Sequence, residues 1–217
     1  QFDMAEVFKR HQVIITLDLE GTLIPDVWPI ISEKTGIEEF KMTTREFPNF
    51  EELQAMRIEV MKKHGLKLQD IQNICREIPP LEGAKEFLDY FRSKHNVIIL
   101  SDIVVQLGSI FMEQLGNPTL FCNWFEVAPD GVVTKSIMRQ TNGKQHAVEA
   151  LHSLGYKVVA AGDSYNDVTM LKTAERGIFI NAPQKIIDEF PQFPLAKDFV
   201  DFQTLMDRAL DEVMATI

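Results

Sequence analysis

The chain has 217 residues, 45% hydrophobic and 25% charged, with 32 acidic against 22 basic side chains and a formal net charge of −10. This length suits one domain with a sizeable insertion, or two small domains, of an ordinary water-soluble globular protein. The acidic balance argues against nucleic acid or an anionic membrane as partner, because either needs a basic face to displace counterions, and no stretch reaches the roughly 18–20 apolar residues of a membrane span.

The opening residues, QFDMAEVFKRHQ, lack the apolar core of a secretory signal peptide. VIITL at 13–17 is a short, β-branched run of the kind that forms a strand buried on both faces. Asp18, Glu20, Gly21 and Thr22 follow at once. From 24 to 80 the rhythm changes: there is no convincing strand, and several helical patterns succeed one another, which predicts an inserted helical unit. Within it, over 50–64, Leu53, Met56, Val60 and Met61 recur at helical spacing. Arg57 falls inside that apolar stripe, where an unpaired guanidinium is costly. It is therefore either a snorkelling arginine with a packed stem or a ligand contact. Gly65 ends this helix, and Pro79-Pro80 marks the return to the main pattern.

A helix over 83–93 presents Ala84, Phe87, Leu88 and Phe91 on one face. The apolar run 97–100 predicts a second strand, with Ser101 and Asp102 just past its end, and a helix over 106–115. FEVAPDGVVTKSIMR at 125–139 is two β-like runs joined by Pro129-Asp130-Gly131, a predicted hairpin. Lys144 opens a helix over 144–154 that Gly155 terminates. A third strand over 158–161 leads into GDSYND, and a fourth spans 178–180. The proline-bounded stretch 190–194 ends regular structure before a last amphipathic helix over 199–214. Cys75 and Cys122 have unlike contexts and no CxxC spacing, which predicts two reduced thiols in a cytoplasmic protein.

Short apolar runs alternating with helical patterns predict an α/β fold, a parallel sheet flanked by helices. In such a sheet, ligands collect beyond the carboxyl ends of the strands. Asp18, Glu20, Ser101, Asp102 and Asp163 all fall there, and Lys144 opens the helix that precedes the third strand. Singly, each has a structural reading as turn, cap or solvated lysine. Together, and in this order, they predict a single working rim.

These segments resemble the four motifs of haloacid-dehalogenase-like phosphatases. DxDx[TV] is matched by Asp18-Leu19-Glu20-Gly21-Thr22, the serine after a strand by Ser101, the upstream lysine by Lys144, and GDxxxD by the stretch from Gly162 to Asp167. Longer stretches (DLEG, KTGI, TTRE, HGLKL, PLEGA, ILSD, AAGDSYND and EFPQFP) are similar to phosphoserine phosphatases, above all to bacterial ones that also transfer phosphate from phosphoserine to homoserine. Glu20 stands where the wider family commonly has Asp, and SDI replaces the usual SGG after the second motif, so backbone contacts made by those glycines do not carry over.

The resemblance implies a Rossmann-like core over 12–23 and 81–217 with a small helical C1 cap over 24–80. It implies Asp18 as the nucleophile that forms an aspartyl-phosphate and Glu20 as general acid and base. Mg²⁺ would be held by Asp18, the Glu20 backbone carbonyl and Asp163, with Lys144 neutralising the phosphoryl charge. Ser101 and Asn166 would hydrogen-bond the transferring group, Asp167 would position Lys144 or a metal-bound water, and Asp102 would support the site. Arg57 would take the substrate carboxylate and Asp26 its ammonium. The implied substrate is phosphoserine, with homoserine as a possible acceptor. A sugar phosphate or nucleotide, or a receiver-like phospho-aspartate domain, stay open as alternatives, as does assembly into a homodimer.

Overall fold

A computed structural model of the chain describes residues 4–43 and 49–217. Part of the TTRE stretch, 44–46, lies outside the described residues. Strand β1 (Val13–Leu17) is buried along its whole length and pairs in parallel with β2 (Asn96–Val104) on one side and β5 (Lys157–Gly162) on the other. β3 (Thr119–Val127) lies parallel outside β2, and β4 (Val133–Ile137) closes that edge antiparallel to β3. β6 (Arg176–Ile180) and the two-residue β7 (Leu195–Ala196) complete a seven-stranded sheet, in the order β4-β3-β2-β1-β5-β6-β7.

The strands alternate their side chains between two apolar layers, as a pleated backbone requires. Ile15, Leu17, Val159 and Ala161 face one layer, together with Phe87 of α5 (Ala84–Arg92) and Phe202 and Met206 of α10 (Phe199–Met214). Phe87 stacks on Phe202 with ring centroids 4.2 Å apart. Ile14, Val158 and Ala160 face the other layer, with Val148 and Leu151 of α7 (Gly143–Ser153) and Met170 and Leu171 of α8 (Val168–Thr173). Helices thus cover both faces, the arrangement that lets a parallel sheet bury continuous apolar runs. This is the predicted α/β class.

Between β1 and α5 the described residues hold α2 (Val27–Thr35), a 3-10 turn (Glu38–Lys41), α3 (Phe50–Lys63) and α4 (Leu68–Arg76). Asn49 caps α3, its side-chain oxygen accepting from the N–H groups of Glu51 and Glu52. Gly65 adopts a positive φ of 66° just past α3, where a side chain would be strained. The buried stripe of α3 differs from the expected one. Met56 is only half-buried, whereas Gln54 and Ile58 are buried beside Leu53, Arg57, Val60 and Met61.

One other expectation is revised. Ser101 and Asp102 lie inside β2 rather than past its end, because pairing with β3 resumes at Val104 after a register shift beyond Leu100. The predicted hairpin is present, β3 and β4 pairing antiparallel about Gly131 (φ +88°), and β3 begins earlier than expected and also pairs with β2. The stretch 190–194 carries no helix or strand, as expected, and the two-residue β7 follows it before α10; a helix α1 (Met4–His11), not anticipated, precedes β1. Helix α6 (Val105–Gln114) and the short α9 (Gln184–Glu189) complete the helices of the described residues. None of the described helices is long and apolar enough to cross a membrane.

At the amino end of β5, Glu175 Oε2 accepts from the Val158 N–H at 2.7 Å and lies 3.0 Å from His152 Nε2. Partial burial pushes its carboxyl up, but the Val158 and His152 hydrogen bonds and Lys157 pull it below the ordinary value. A carboxyl depressed by folding adds stability that is present above its unfolded pKa, about 4.3, and is lost as pH falls through the lower folded value. Glu175→Gln should therefore cost about 1–2 kcal/mol at pH 7. Urea midpoints should show the gap to wild type narrowing below about pH 4.3; a gap of constant size across that range would refute the assignment.

Candidate active site

Chain order moves outward from β1 through β2 to β3 and then returns to β5 on the other flank, so β1 and β5 border the point where strand order reverses. Asp18 leaves β1 there. Its N–H donates to the Ala161 carbonyl at 3.0 Å, which extends the β1–β5 ladder by one bond and fixes the start of the side chain. The chain then folds tightly: the Leu19 carbonyl accepts from Leu23 and Ile24 at 2.8 and 3.0 Å, and Gly21 N–H donates to the Ile24 carbonyl at 2.8 Å. Gly21 has φ +77°, and its carbonyl accepts from the Asn181 side chain at 3.0 Å.

Lys144, near the start of α7, is buried rather than solvated, with 7% of its surface exposed. Its Nζ donates to Asp18 Oδ1 at 2.6 Å and to Asp167 Oδ1 at 2.7 Å. Burial alone would lower the ammonium's pKa; the facing Asp167, Asp18 and Asp102 raise it well above the ordinary lysine value, so it is a fixed cation. Asp167 is fully buried, and its second oxygen accepts from the backbone N–H groups of Asp163 and Ser164 at 3.0 Å each and from the Ser164 hydroxyl at 3.1 Å. It therefore locks both the lysine and the turn that carries Asp163.

Asp18, Asp163 and Asp167 each offer one carboxylate oxygen, all within 4.8 Å of one another. Burial, with Asp167 next, raises Asp18 well above the usual carboxylate range despite Lys144. Burial and the charge of Asp167 likewise push Asp163 up to about 7. Three acids facing one ammonium leave unbalanced negative charge in a water-poor place, which a divalent cation with oxygen ligands would relieve. The donor set fits such an ion. Both oxygens of Asp167 are engaged, one by Lys144 and the other by the Asp163–Ser164 turn, whereas Lys144 takes only Oδ1 of Asp18, so Asp18 and Asp163 are the freer ligands.

The Glu20 side chain points away from this cluster. Its Oε1 accepts from the Val27 N–H at 3.1 Å, at the start of α2. Burial raises its pKa and Asp26 adds to this; the Val27 bond, Arg57 and Lys144 oppose the rise without cancelling it. Arg57 of α3 is 6% exposed, lies 4.4 Å over the Trp28 ring and donates from Nη2 to the Met42 carbonyl at 3.2 Å. Desolvation brings its pKa down to about 10, against the pull of Glu20 and Asp26. The guanidinium stays charged and does not reach water as a snorkelling residue would. Asp26 is exposed at the start of α2, and no hydrogen bond from its side chain caps that helix.

Two hollows meet here. One of about 30 Å³ is bordered by Glu20, Trp28, Gln54, Arg57, Asp102 and Phe125 among others. The other, about 530 Å³, runs outward past Lys144, Asp102, Asn142 and the exposed Asn166. Phe50 and Asp102 line both. Ser101 is buried on β2, the strand beside β1, and its hydroxyl accepts from the Ile103 N–H at 3.2 Å. The structure thus gathers Asp18, Lys144, Asp163 and Asp167 at one point and sets Glu20, Arg57 and Asp26 at the facing α2–α3 wall. Trp28 and Gln54 were not anticipated. Gln54 was findable as the residue one turn before Arg57, but nothing in the sequence distinguishes a buried amide there from an exposed one.

A Cβ on Gly21 would lie 2.2 Å from Asp163 Oδ2, and the positive φ adds strain. The nearest obstacle is the tip of a side chain, so Asp163 can swing aside and the fold survives. Gly21→Ala should therefore weaken divalent-cation affinity on the order of ten- to a hundredfold, read by calorimetry, while circular dichroism stays that of the wild type. Unchanged affinity would mean that Asp163 is not a ligand.

Residues 13–175 match the haloacid dehalogenase-like hydrolase family. The chain is 45% identical over 190 residues to the phosphoserine phosphatase ThrH of Pseudomonas aeruginosa, covering 88% of this chain and 93% of that protein. It is also 45% identical over 186 residues to a phosphoserine phosphatase of Pseudomonas syringae pv. tomato, covering 86% of this chain and 78% of the relative. A solved phosphoserine phosphatase in complex with its substrate superposes with a TM-score of 0.71 at 25% identity, over 85% of this chain and 92% of that one. With a family match over most of its length and curated relatives at this identity, the chain belongs to the haloacid dehalogenase-like hydrolases.

Proposed function

We propose that the chain is a Mg²⁺-dependent phosphoserine phosphatase that works through an aspartyl-phosphate on Asp18, with homoserine as an alternative acceptor to water. The observation that carries this reading is the buried Lys144 ammonium bonded at once to Asp18 and Asp167. It holds a nucleophilic carboxylate in one orientation beside a fixed positive charge. The names of the two Pseudomonas relatives and of the substrate-bound structure support phosphoserine as the ester.

A phosphate monoester resists attack because its oxygens repel an anion, so the site must supply positive charge and alignment. When bound by Asp18, the Glu20 backbone carbonyl and Asp163, Mg²⁺ would supply charge neutralisation at the phosphoryl oxygens. Lys144 contributes a second positive charge that cannot be titrated away. The Asp18 carboxylate forms the O–P bond while the ester O–P bond breaks, and Glu20 gives its proton to the departing serine oxygen. A carboxyl whose pKa burial has raised suits that step. Glu20 then takes a proton from water or from the homoserine hydroxyl as that oxygen attacks phosphorus and the Asp18–phosphorus bond opens. Ser101 and Asn166 serve as donors to the transferring group, and Asp102 lines its approach.

Segment 24–80 acts as a helical cap on a core formed by 12–23 and 81–217. Arg57 takes the substrate carboxylate in a guanidinium fork, and Asp26 takes the ammonium. A protein of net charge −10 can bind a dianionic ester because its positive charge is concentrated where the ester lands.

Asp18→Asn should lose essentially all phosphate release and keep the wild-type melting profile; a variant with a tenth of the activity would exclude Asp18 as nucleophile. Phosphoserine supplied with and without homoserine, with free phosphate and phosphohomoserine measured together, should give both products when homoserine is present. Phosphohomoserine absent at saturating homoserine would restrict the enzyme to hydrolysis. Equal rates on glycerol phosphate and phosphoserine would overturn the substrate assignment.

A further inference from the structure

Two buried polar atoms on one face of α3 have no hydrogen-bond partner among the described residues. Gln54, 4% exposed, has no hydrogen bond at its side-chain carbonyl Oε1, and Arg57, one turn further on, has none at Nε. Both residues line the 30 Å³ hollow that Glu20 also borders. A buried carbonyl left unpaired is destabilising, and the rest of the buried stripe on this helix is apolar: Leu53, Ile58, Val60 and Met61. The hollow has room for a water but not for an amino acid, so ligand entry displaces part of this wall. One unpaired acceptor and one unpaired donor, three residues apart, match a ligand end that carries both a cation and an anion.

We propose that Gln54 is a specificity-determining substrate contact whose side-chain carbonyl accepts a hydrogen bond from the substrate's α-ammonium group, while Arg57 Nε donates to the adjoining carboxylate. This rests on the phosphoserine reading above and adds to it the group that separates an amino-acid ester from a plain carboxylate ester. Asp26, exposed at the rim, supplies long-range attraction for the same ammonium; Gln54, buried, supplies the directed bond.

The test compares phosphoserine with 3-phosphonooxypropanoate, which keeps the phosphate ester and the carboxylate and lacks the amine. A hydrogen bond to a charged group corresponds to roughly a ten- to hundredfold effect. Gln54→Met, nearly the same in shape, should lower kcat/KM for phosphoserine by that factor and leave the deaminated ester unchanged. Its melting temperature should be equal to or above wild type, because an orphan acceptor has been removed; Gln54→Glu should retain the preference for phosphoserine. Equal losses on both esters, a marked drop in melting temperature, or an undiminished rate on phosphoserine would each overturn the proposal. A wild-type enzyme that turns over the two esters alike would overturn both this proposal and the substrate reading, and that result appears before any variant is made.

Discussion

The site depends on one lysine that has been taken out of water. Lys144 Nζ sits between Asp18 and Asp167, which hold the ammonium by two charged hydrogen bonds. Such a pair adds little net stability, since desolvation offsets most of the Coulombic gain. Its worth lies in geometry: Asp18, the proposed nucleophile, its counter-charge and the turn bearing Asp163 share one set of hydrogen bonds. Burial first, and then the imbalance of three carboxylates around one cation, raises Asp18 and Asp163. A divalent ion would bring these four groups to neutrality, which is why the proposed metal suits this packing.

Backbone rather than side-chain contacts keep this arrangement in register. The ladder continues one residue past β1 through the bond from Asp18 to Ala161, and Gly162 ends β5 with no side chain. A Cβ at Gly162 would meet Asp167 Cγ at 2.3 Å, as one at Gly21 would meet Asp163. Two glycines, one in the turn after β1 and one at the end of β5, thus make room for Asp163 and Asp167, and Asp167 reaches the lysine. On the far wall the return of the chain is tied in as well, since the Leu81 N–H donates to the Leu23 carbonyl at 2.9 Å. The exit and re-entry of segment 24–80 are therefore pinned together beside Asp18.

Much of this was legible in the sequence because parallel strands impose a simple rule: buried apolar runs end on one rim, and the acids that follow them must meet there. Asp18 and Asp163 obey it. Lys144 was harder, because a lysine at a helix start is ordinarily solvated, and only the partners brought by β1 and the Asp163–Asp167 turn bury it. Ser101 and Asp102 were placed past their strand because propensity ends at Leu100, whereas pairing with β3 carries β2 to Val104. β7 has only two residues and exists through its neighbour β6, so it leaves no periodic trace. Gln54 was missed because helical periodicity reports which face is buried, and says nothing about what a polar residue on that face is for.

The proposed choice of acceptor follows from how the two walls divide the ligand. Serine and homoserine carry the same ammonium and carboxylate, so contacts from the Arg57 wall hold the departing and the arriving amino acid alike. Their difference, one methylene, must be absorbed at the hydroxyl end, where a proton changes hands. Glu20 stands there with a side chain longer by one carbon–carbon bond, about 1.5 Å, than the aspartate common in the wider family, and its carboxylate is anchored by the Val27 N–H rather than by the acid cluster. A base held from the α2 side, apart from the metal-binding acids, can serve hydroxyls at slightly different depths without disturbing Asp18. On this view acceptor range comes from the reach of the Glu20 side chain, and amino-acid selectivity comes from Gln54 and Arg57, which border the same hollow.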